Sequence, residues 1–277
     1  MLRTLYRSYV NKRRAKRVTE GSTSLNILKS FPLFETNGWG YYPIRAQLTI
    51  ECINQTIPAL AVLATIQPRH EEFRRELTDR MSQSDPSFDR LAQLFTAKGS
   101  DKSVKHDYHR IYATLLSSGD QAAKIFEIGL GSNNLDIVAN MGLGGSPGAS
   151  LRAFREFCPH AEVFGADFDT RVLFEEERIR TFFVDQTKSE TFLPLGDQIG
   201  DQFDLMIDDG LHAPNVNLHS LNFFLPRLRV GGYAVVEDII HAAKPVWDVV
   251  SGLLNENYRA AFIPMKCQCV YVVQRLR

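Results

Sequence analysis

The 277-residue chain has no surplus of either charge sign: 32 Lys and Arg stand against 32 Asp and Glu. Phosphate binding normally shows as a basic excess, so this balance gives no support for nucleic acid as a partner. Apolar runs long enough to span a bilayer are missing too, and the longest, "IPALAVLATI" (57–66), reads as a buried helix. Cysteine is scarce: residues 52, 158, 267 and 269 form no CxxC pair and read as reduced thiols of a cytoplasmic protein. Cys267 and Cys269, two apart in an expected strand, should face the same side of it. The start is positively charged but has no apolar segment behind it, so a secretory signal is not expected.

What remains is a globular composition, 44% hydrophobic and 23% charged, enough for one large domain or a core with an appendage. Residues 1–19 are the local exception, with Arg3, Arg7, Lys12, Arg13, Arg14, Lys16 and Arg17 and no acid. They read either as a solvated tail or as a peripheral contact with an anionic surface, such as a membrane face or an acidic glycan. The stretch "FPLFETNGWGYYPIRAQ" (31–47) has aromatic bulk suited to covering an acceptor or exchanging with another subunit, hence an expected homo-oligomer. Residues 1–85 are taken as a basic arm with a helical, irregular extension, and 86–277 as the principal domain.

"DPSFDRLAQLF" (85–95) opens with an acid and a proline and spaces Phe88, Leu91, Leu94 and Phe95 as a helix. A second helix after "TAKGSDK" carries His106, Tyr108, Tyr112 and Leu115. His106 and Tyr108 fit a lid over a ligand, and Tyr108, Ile111, Tyr112 and Leu115 equally fit a buried helix face. From residue 124 strands and helices alternate. The strands are "KIFEIGL", "AEVFGADFD", "RIRTFFVDQ", "QFDLMIDDG" and "GGYAVVEDI", with a closing pair "AAFIPMK" and "CVYVVQRL". This pattern predicts an α/β fold, a doubly wound and mostly parallel seven-stranded sheet with an antiparallel terminal hairpin. In such sheets ligands sit outside the carboxyl ends of the strands. Every parallel strand delivers acid there: Glu127, Asp167, Asp185, Asp208 with Asp209, and Glu237 with Asp238.

The turn "EIGLGSNN" lets the backbone approach a ligand at Gly129 and Gly131, but it lacks the third glycine of the dinucleotide fingerprint. A nicotinamide dehydrogenase is therefore disfavoured. Asp167 is placed for ribose hydroxyls, and Asp185 with Gln186 for an adenine edge. An adenosine bearing a sulfonium and an amino acid fits those features better than a diphosphate does.

In "EIGLG", "GASLRAFREFCPHAEVFGADFD", "VDQT", "FDLMIDDGLH" and "LRVGGYAVVEDI", preceded by "GSDKSVKHDYHRIY", the chain resembles the class I S-adenosylmethionine-dependent methyltransferases. It is similar specifically to the metal-dependent sugar O-methyltransferases of macrolides and related glycosides, over roughly residues 90–240. The resemblance implies a Rossmann-like methyltransferase fold with S-adenosylmethionine and Mg2+ as cofactors. It implies magnesium binding by Asp209 and Asp238, with Glu237 the neighbouring acid, and His212 as general base. Glu127, Gly129, Asp167 and Asp185 fall at cofactor contacts. Gly131 and Gln186 are grouped with them, and Asp208 is left between touching the cofactor amine and capping its loop. The loop after Gly131 and residues 1–85 depart from the family pattern.

The chemistry is coherent. A sugar hydroxyl is too weak an acid to ionise unaided, whereas hard carboxylates suit magnesium, which lowers the pKa of a bound hydroxyl. An imidazole beside the ion then takes the proton. Two adjacent carboxylates without a cation would repel, and the metal resolves that conflict. The expected function is O-methylation of a sugar hydroxyl on a glycoside or polysaccharide precursor. Rival readings are a catechol-type methyltransferase or hydroxylase-like relative, and a non-catalytic binding subunit on the same fold.

Overall fold

The computed structural model describes residues 55–64, 67–137 and 139–277. The basic start, the aromatic arm and Cys52 lie outside the described residues. The chain divides into two units, residues 1–63 and 64–277. In the first, residues 55–63 are helical, with Leu60, Val62 and Leu63 exposed, so the stretch expected to be a buried helix is not buried there. No helix among the described residues is long and apolar enough to cross a membrane.

The second unit begins with helices α1 (Pro68–Ser82), α2 (Pro86–Lys98) and α3 (Tyr108–Leu116). Helix α2 starts as its sequence predicts: the Asp85 side chain accepts the Ser87 N–H, Pro86 follows at the first turn, and Gly99 ends it in a left-handed conformation. After them come β1 (Lys124–Ile128), α4 (Ala149–Phe157), β2 (Glu162–Asp167), β3 (Glu175–Glu176) and β4 (Ile179–Phe183). The chain continues through α5 (Phe192–Ile199), β5 (Phe203–Asp208), α6 (Pro214–Phe224) and β6 (Leu228–Ile239). It closes with α7 (Lys244–Leu253), β7 (Tyr258–Pro264) and β8 (Cys269–Arg275).

The strands form one sheet in the order β3-β4-β2-β1-β5-β6-β8-β7, eight where seven were expected. The additional strand is the two-residue β3, antiparallel to β4 at one edge. The pairs among β4, β2, β1, β5 and β6 are parallel, and β8 and β7 run antiparallel, as the hairpin reading predicts. Chain order reverses direction between β1 and β5, which makes their carboxyl ends the switch point where a ligand crevice opens.

Alternation along the strands separates two cores. Ile125, Val163, Leu205, Ile207 and Val235 pack against α1 to α4, whereas Phe126, Phe164, Met206, Ala234 and Val236 pack with residues of α5 to α7. Both faces are covered, so every β5 residue is buried.

Helix α1 belongs to this unit, so the boundary expected at 85/86 lies inside it. The reason is the exposed edge of β7. His70 Nδ1 accepts the N–H of Ala260 at 2.9 Å, and Arg69 donates to the carbonyls of Leu254 and Tyr258 at 2.8 and 2.9 Å. The Ala260 N–H and the Tyr258 carbonyl of the β7 edge are thereby paired, along with the Leu254 carbonyl at the end of α7. Cys267 also departs from expectation: it precedes β8 and is exposed, whereas Cys269 is buried in the strand.

Burial, and then the neighbouring Arg69 charge, hold the His70 imidazole below its usual 6.5. The unfolded chain therefore takes up that proton first, and the fold loses stability as pH falls from about 6.5 through the lowered folded value. In His70→Asn, which keeps an acceptor for Ala260, urea titrations from about pH 7.5 down to about pH 5 should show a shallower loss of stability than in the unsubstituted protein.

Candidate active site

A cavity of about 460 Å³ opens at the carboxyl ends of β1, β2, β4 and β5. Its size lies within the usual range for cofactor sites. Gly129 and Gly131 come from the turn after β1, Asp167 and Phe168 from the end of β2, Asp185 and Gln186 from beyond β4, and Asp209 from the end of β5. Five of the expected cofactor residues therefore line it: Gly129, Gly131, Asp167, Asp185 and Gln186.

Gly129 adopts φ +94°, and a Cβ there would stand 2.1 Å from the carbonyl oxygen of Asp209. The β1 and β5 turns are thus in backbone contact, reinforced by the Asp209 N–H donating to Ile128 at 2.9 Å. Asp167 is fixed by N–H donors from Leu130 and Asp169, each at 2.8 Å. Burial pushes its carboxyl up, and those same hydrogen bonds oppose the shift. Asp169 then anchors the enlarged loop after Gly131, accepting from Ser132 at 2.6 Å and Asn134 at 2.7 Å.

Two expected cofactor residues stand outside the cavity lining. Asp208 is wholly buried, where it accepts from Gln186 at 2.8 Å, Asn217 at 3.0 Å and the Gly210 N–H at 3.2 Å. Asp208 thus holds both the Gln186 amide and the Gly210 turn. Glu127 is also fully buried and accepts from Ser150 at 2.5 Å. It is absent from the cavity lining, which begins at Ile128.

Glu127 instead faces a residue that the sequence reading overlooked. Lys102, 3% exposed, places its Nζ 2.5 Å from Glu237, 2.6 Å from Asp209 and 3.1 Å from Glu127. Tyr112 donates to the second Glu237 oxygen. Burial works against the charge on Lys102, but Asp209, Glu237 and Glu127 outweigh it and hold the ammonium ionised. Burial and the Asp209 charge push the Glu237 carboxyl well up, and burial pushes Glu127 up. The cluster therefore contains an ammonium and favours an additional proton among its buried acids. The detectable signal was charge balance: converging buried acids require a cation, and "GSDK" carries one ahead of the sheet.

Asp238 follows Glu237 yet goes elsewhere. Its φ is +56°, and the β6–β8 register shifts between Val236 and Ile239. This bulge turns Asp238 toward the rim while Glu237 stays inside. Asp238 accepts from the Tyr108 hydroxyl at 2.6 Å, and His212 Nε2 lies 3.8 Å from its other oxygen. His212 also holds φ +56°. One donor atom each from Asp209, His212 and Asp238 lie within 4.8 Å of one another, an arrangement able to hold a metal ion. The two carboxylates suit Mg2+ or Mn2+, so these residues fit the expected group, with the His212 imidazole beside the ion. Glu237, expected among the ligands, is absent from that arrangement because Lys102 and Tyr112 occupy both its oxygens.

Of the two residues expected as a lid, Tyr108 begins α3 and His106 precedes it. Both are buried, stacked at 5.0 Å between ring centroids, with His106 Nδ1 3.5 Å from Asp238. The buried-face alternative describes Tyr108, Ile111, Tyr112 and Leu115.

No protein-family model matches the chain. It is 30% identical over 172 residues to 8-demethyl-8-alpha-L-rhamnosyl tetracenomycin-C 2'-O-methyltransferase of Streptomyces olivaceus, covering 62% of this chain and 42% of that one. It is 34% identical over 178 residues to L-olivosyl-oleandolide 3-O-methyltransferase of Streptomyces antibioticus, covering 60% and 41%. The chain thus spans about two fifths of the length of these curated relatives. Its fold is that of the MycE methyltransferase of mycinamycin biosynthesis, solved with Mg and SAH, at TM-score 0.53 and 23% identity, covering 70% of this chain and 56% of that one. A further MycE structure, with Mg, SAH and mycinamycin VI, superposes at TM-score 0.52 and 22% identity over 68% and 55%.

Gly129→Ala would strain a left-handed residue and drive a methyl group into Asp209, costing about 3 kcal/mol and lowering Tm by roughly 6–12 °C in a thermal melt.

Proposed function

We propose that the chain is an S-adenosylmethionine-dependent O-methyltransferase that methylates a sugar hydroxyl of a glycoside or polysaccharide precursor, assisted by a divalent cation. The observation that carries this reading is the double position of Asp209. It lines the cofactor-sized cavity and also stands in the Asp209, His212, Asp238 group, so donor and acceptor chemistry meet at one rim. The relatives' names, which specify O-methylation of rhamnosyl- and olivosyl-bearing compounds, support it.

In this mechanism Asp167, held by Leu130 and Asp169, offers its remaining lone pairs to ribose hydroxyls, while Gly129 and Gly131 leave room for close backbone approach. Asp185 and Gln186 address the base edge, and the exposed Phe168 ring supplies an apolar face beside them. Asp209 and Asp238 would hold the ion, which when bound lowers the pKa of a coordinated hydroxyl. The acceptor oxygen forms the new C–O bond as the C–S bond of the sulfonium breaks, its electron pair remaining on sulfur. The hydroxyl proton passes to His212 Nε2. Tyr108 donates to Asp238 and keeps that carboxylate aimed at the rim. Burial and the Glu237 charge push the Tyr108 phenol up, so it remains a donor.

We carry a cytoplasmic location with this reading, supported by free thiols at Cys158, Cys267 and Cys269. The homo-oligomer and the peripheral membrane contact rest on residues outside the described ones.

Calorimetric titration with S-adenosylmethionine and S-adenosylhomocysteine tests the reading. Asp167→Ala should weaken cofactor binding by about 10-fold or more, whereas His212→Ala should retain binding and lose transfer by about 10²–10⁴-fold. Transfer to a rhamnosyl glycoside should require magnesium and vanish with EDTA. If neither compound binds the unsubstituted protein, with or without magnesium, the methyltransferase reading fails and the binding-subunit alternative takes its place.

A further inference from the structure

We propose that Arg171 is a positioning residue for the cofactor. It ties residues 132–137, one wall of the cavity, to Asp169 and through it to Asp167, and so sets how fast cofactor and product leave. This rests on the reading of that cavity as the S-adenosylmethionine site.

Residues 129–148 connect β1 to α4 with no helix or strand among those described. Connections that long and irregular are uncommon in a compact domain and are often functional. Beyond the glycine turn, Ser132, Asp136, Ile137 and Ala139 of this loop line the cavity. Several of its hydrogen bonds are internal. The Ile137 N–H donates to Asn134 at 3.1 Å, the Met141 N–H to Ser132 at 2.8 Å, and the Asn140 amide to the Ile137 carbonyl at 2.8 Å. Such bonds shape the loop without fixing it to the sheet.

The fixing contacts come from one acid and one guanidinium. Asp169 Oδ2 accepts from Ser132 at 2.6 Å and from Asn134 at 2.7 Å, which holds the start of the wall. At Asp136 the tie passes to Arg171. Its Nε donates to Asp169 Oδ1 at 2.6 Å and its Nη2 to Asp169 Oδ2 at 3.1 Å. Its Nη1 and Nη2 also donate to the two oxygens of Asp136, at 3.2 and 3.0 Å. The Asp169 N–H in turn donates to Asp167 at 2.8 Å. Arg171 is absent from the cavity lining, yet it joins two acids that belong to it, Asp136 directly and Asp167 through Asp169. A guanidinium fork can hold two carboxylates at once, whereas a lysine ammonium has one nitrogen for both. Exposure decides what the tie does: the side chains of Asp169, Arg171 and Asp136 are 3%, 50% and 68% exposed. The Arg171–Asp136 pair is solvated and adds little to folding. Its loss leaves the fold standing and frees the wall.

The experiment is a chase of bound radiolabelled S-adenosylhomocysteine with excess unlabelled compound, for the unsubstituted protein, Arg171→Gln, Asp136→Asn and the double variant. Equilibrium binding of the same samples supplies the entry rates, and hydrogen–deuterium exchange and thermal melts are run without ligand. R171Q should raise the exit rate by about 5-fold and change the entry rate by less than about 2-fold. D136N should raise it alike by itself and add less than about 2-fold on top of R171Q, because the two substitutions break one tie. In ligand-free R171Q, exchange at residues 132–137 should quicken while β1 and β2 keep their protection and Tm moves by less than about 4 °C. An unchanged exit rate in R171Q, additive effects of the two substitutions, or exchange that quickens through β1 and β2 as well overturns the proposal. Should R171Q fail to fold, D136N decides: an exit rate raised about 5-fold with faster exchange confined to residues 132–137 supports the tie, and an unchanged rate overturns it. If the unsubstituted protein binds no S-adenosylhomocysteine, the methyltransferase reading falls and the Arg171 assignment with it. Binding with an unchanged exit rate in R171Q ends the Arg171 assignment alone.

Discussion

The contact of one buried ammonium with three strand-end carboxylates organises everything at the carboxyl rim. Lys102 joins β1, β5 and β6 through Glu127, Asp209 and Glu237, three acids that would otherwise repel one another across adjacent strands. Removing the partner of a buried ion pair typically costs about 3–5 kcal/mol because it leaves uncompensated charge behind. Lys102 precedes the sheet in the chain, so the helices before β1 do more than cover one face. They contribute Phe73, Leu91 and Tyr112 to the core, and the turn between α2 and α3 contributes the cation at the sheet's rim.

Around that contact the backbone is held in conformations that ordinary residues avoid. His212 and Asp238 both adopt left-handed angles, and Gly129 does so against the carbonyl of Asp209. Such positions cost about 1–3 kcal/mol each for residues with a side chain and persist only where surrounding structure enforces them. Here the return is directional. The Asp238 bulge separates two consecutive acids, sending Glu237 to the lysine and Asp238 to the rim. The His212 turn brings its imidazole within 3.8 Å of Asp238.

Much of this was legible in the sequence because it follows from period and position. Alternation placed the strands, apolar runs ending in acids marked the carboxyl rim, and Gly129 marked a close backbone approach. The assignments that departed depended on where a side chain turns after the strand ends. Asp208 and Asp209 are adjacent, yet one holds Gln186 inside and the other lines the cavity. Glu237 and Asp238 part because of a bulge that no residue pattern announces. Lys102 was hidden for a different reason: its partners lie 25, 107 and 135 positions away, so only the charge balance of the folded rim reveals it. His106 and Tyr108 were visible as a motif, but whether an aromatic pair covers a pocket or underlies it depends on tertiary packing.

The pairing of α1 with the last strand has a consequence for how the molecule behaves in crowded solution. A β-sheet with a bare border is a template on which another chain can add a strand. Here His70 takes the Ala260 amide and Arg69 the Tyr258 carbonyl of the same border, so hydrogen-bonding capacity that a foreign strand would need is already engaged. The opposite border is β3, two glutamates long. A strand that short and that negatively charged offers little to copy. The sheet is therefore guarded against runaway lateral growth by a histidine and an arginine on one side and by brevity and charge on the other.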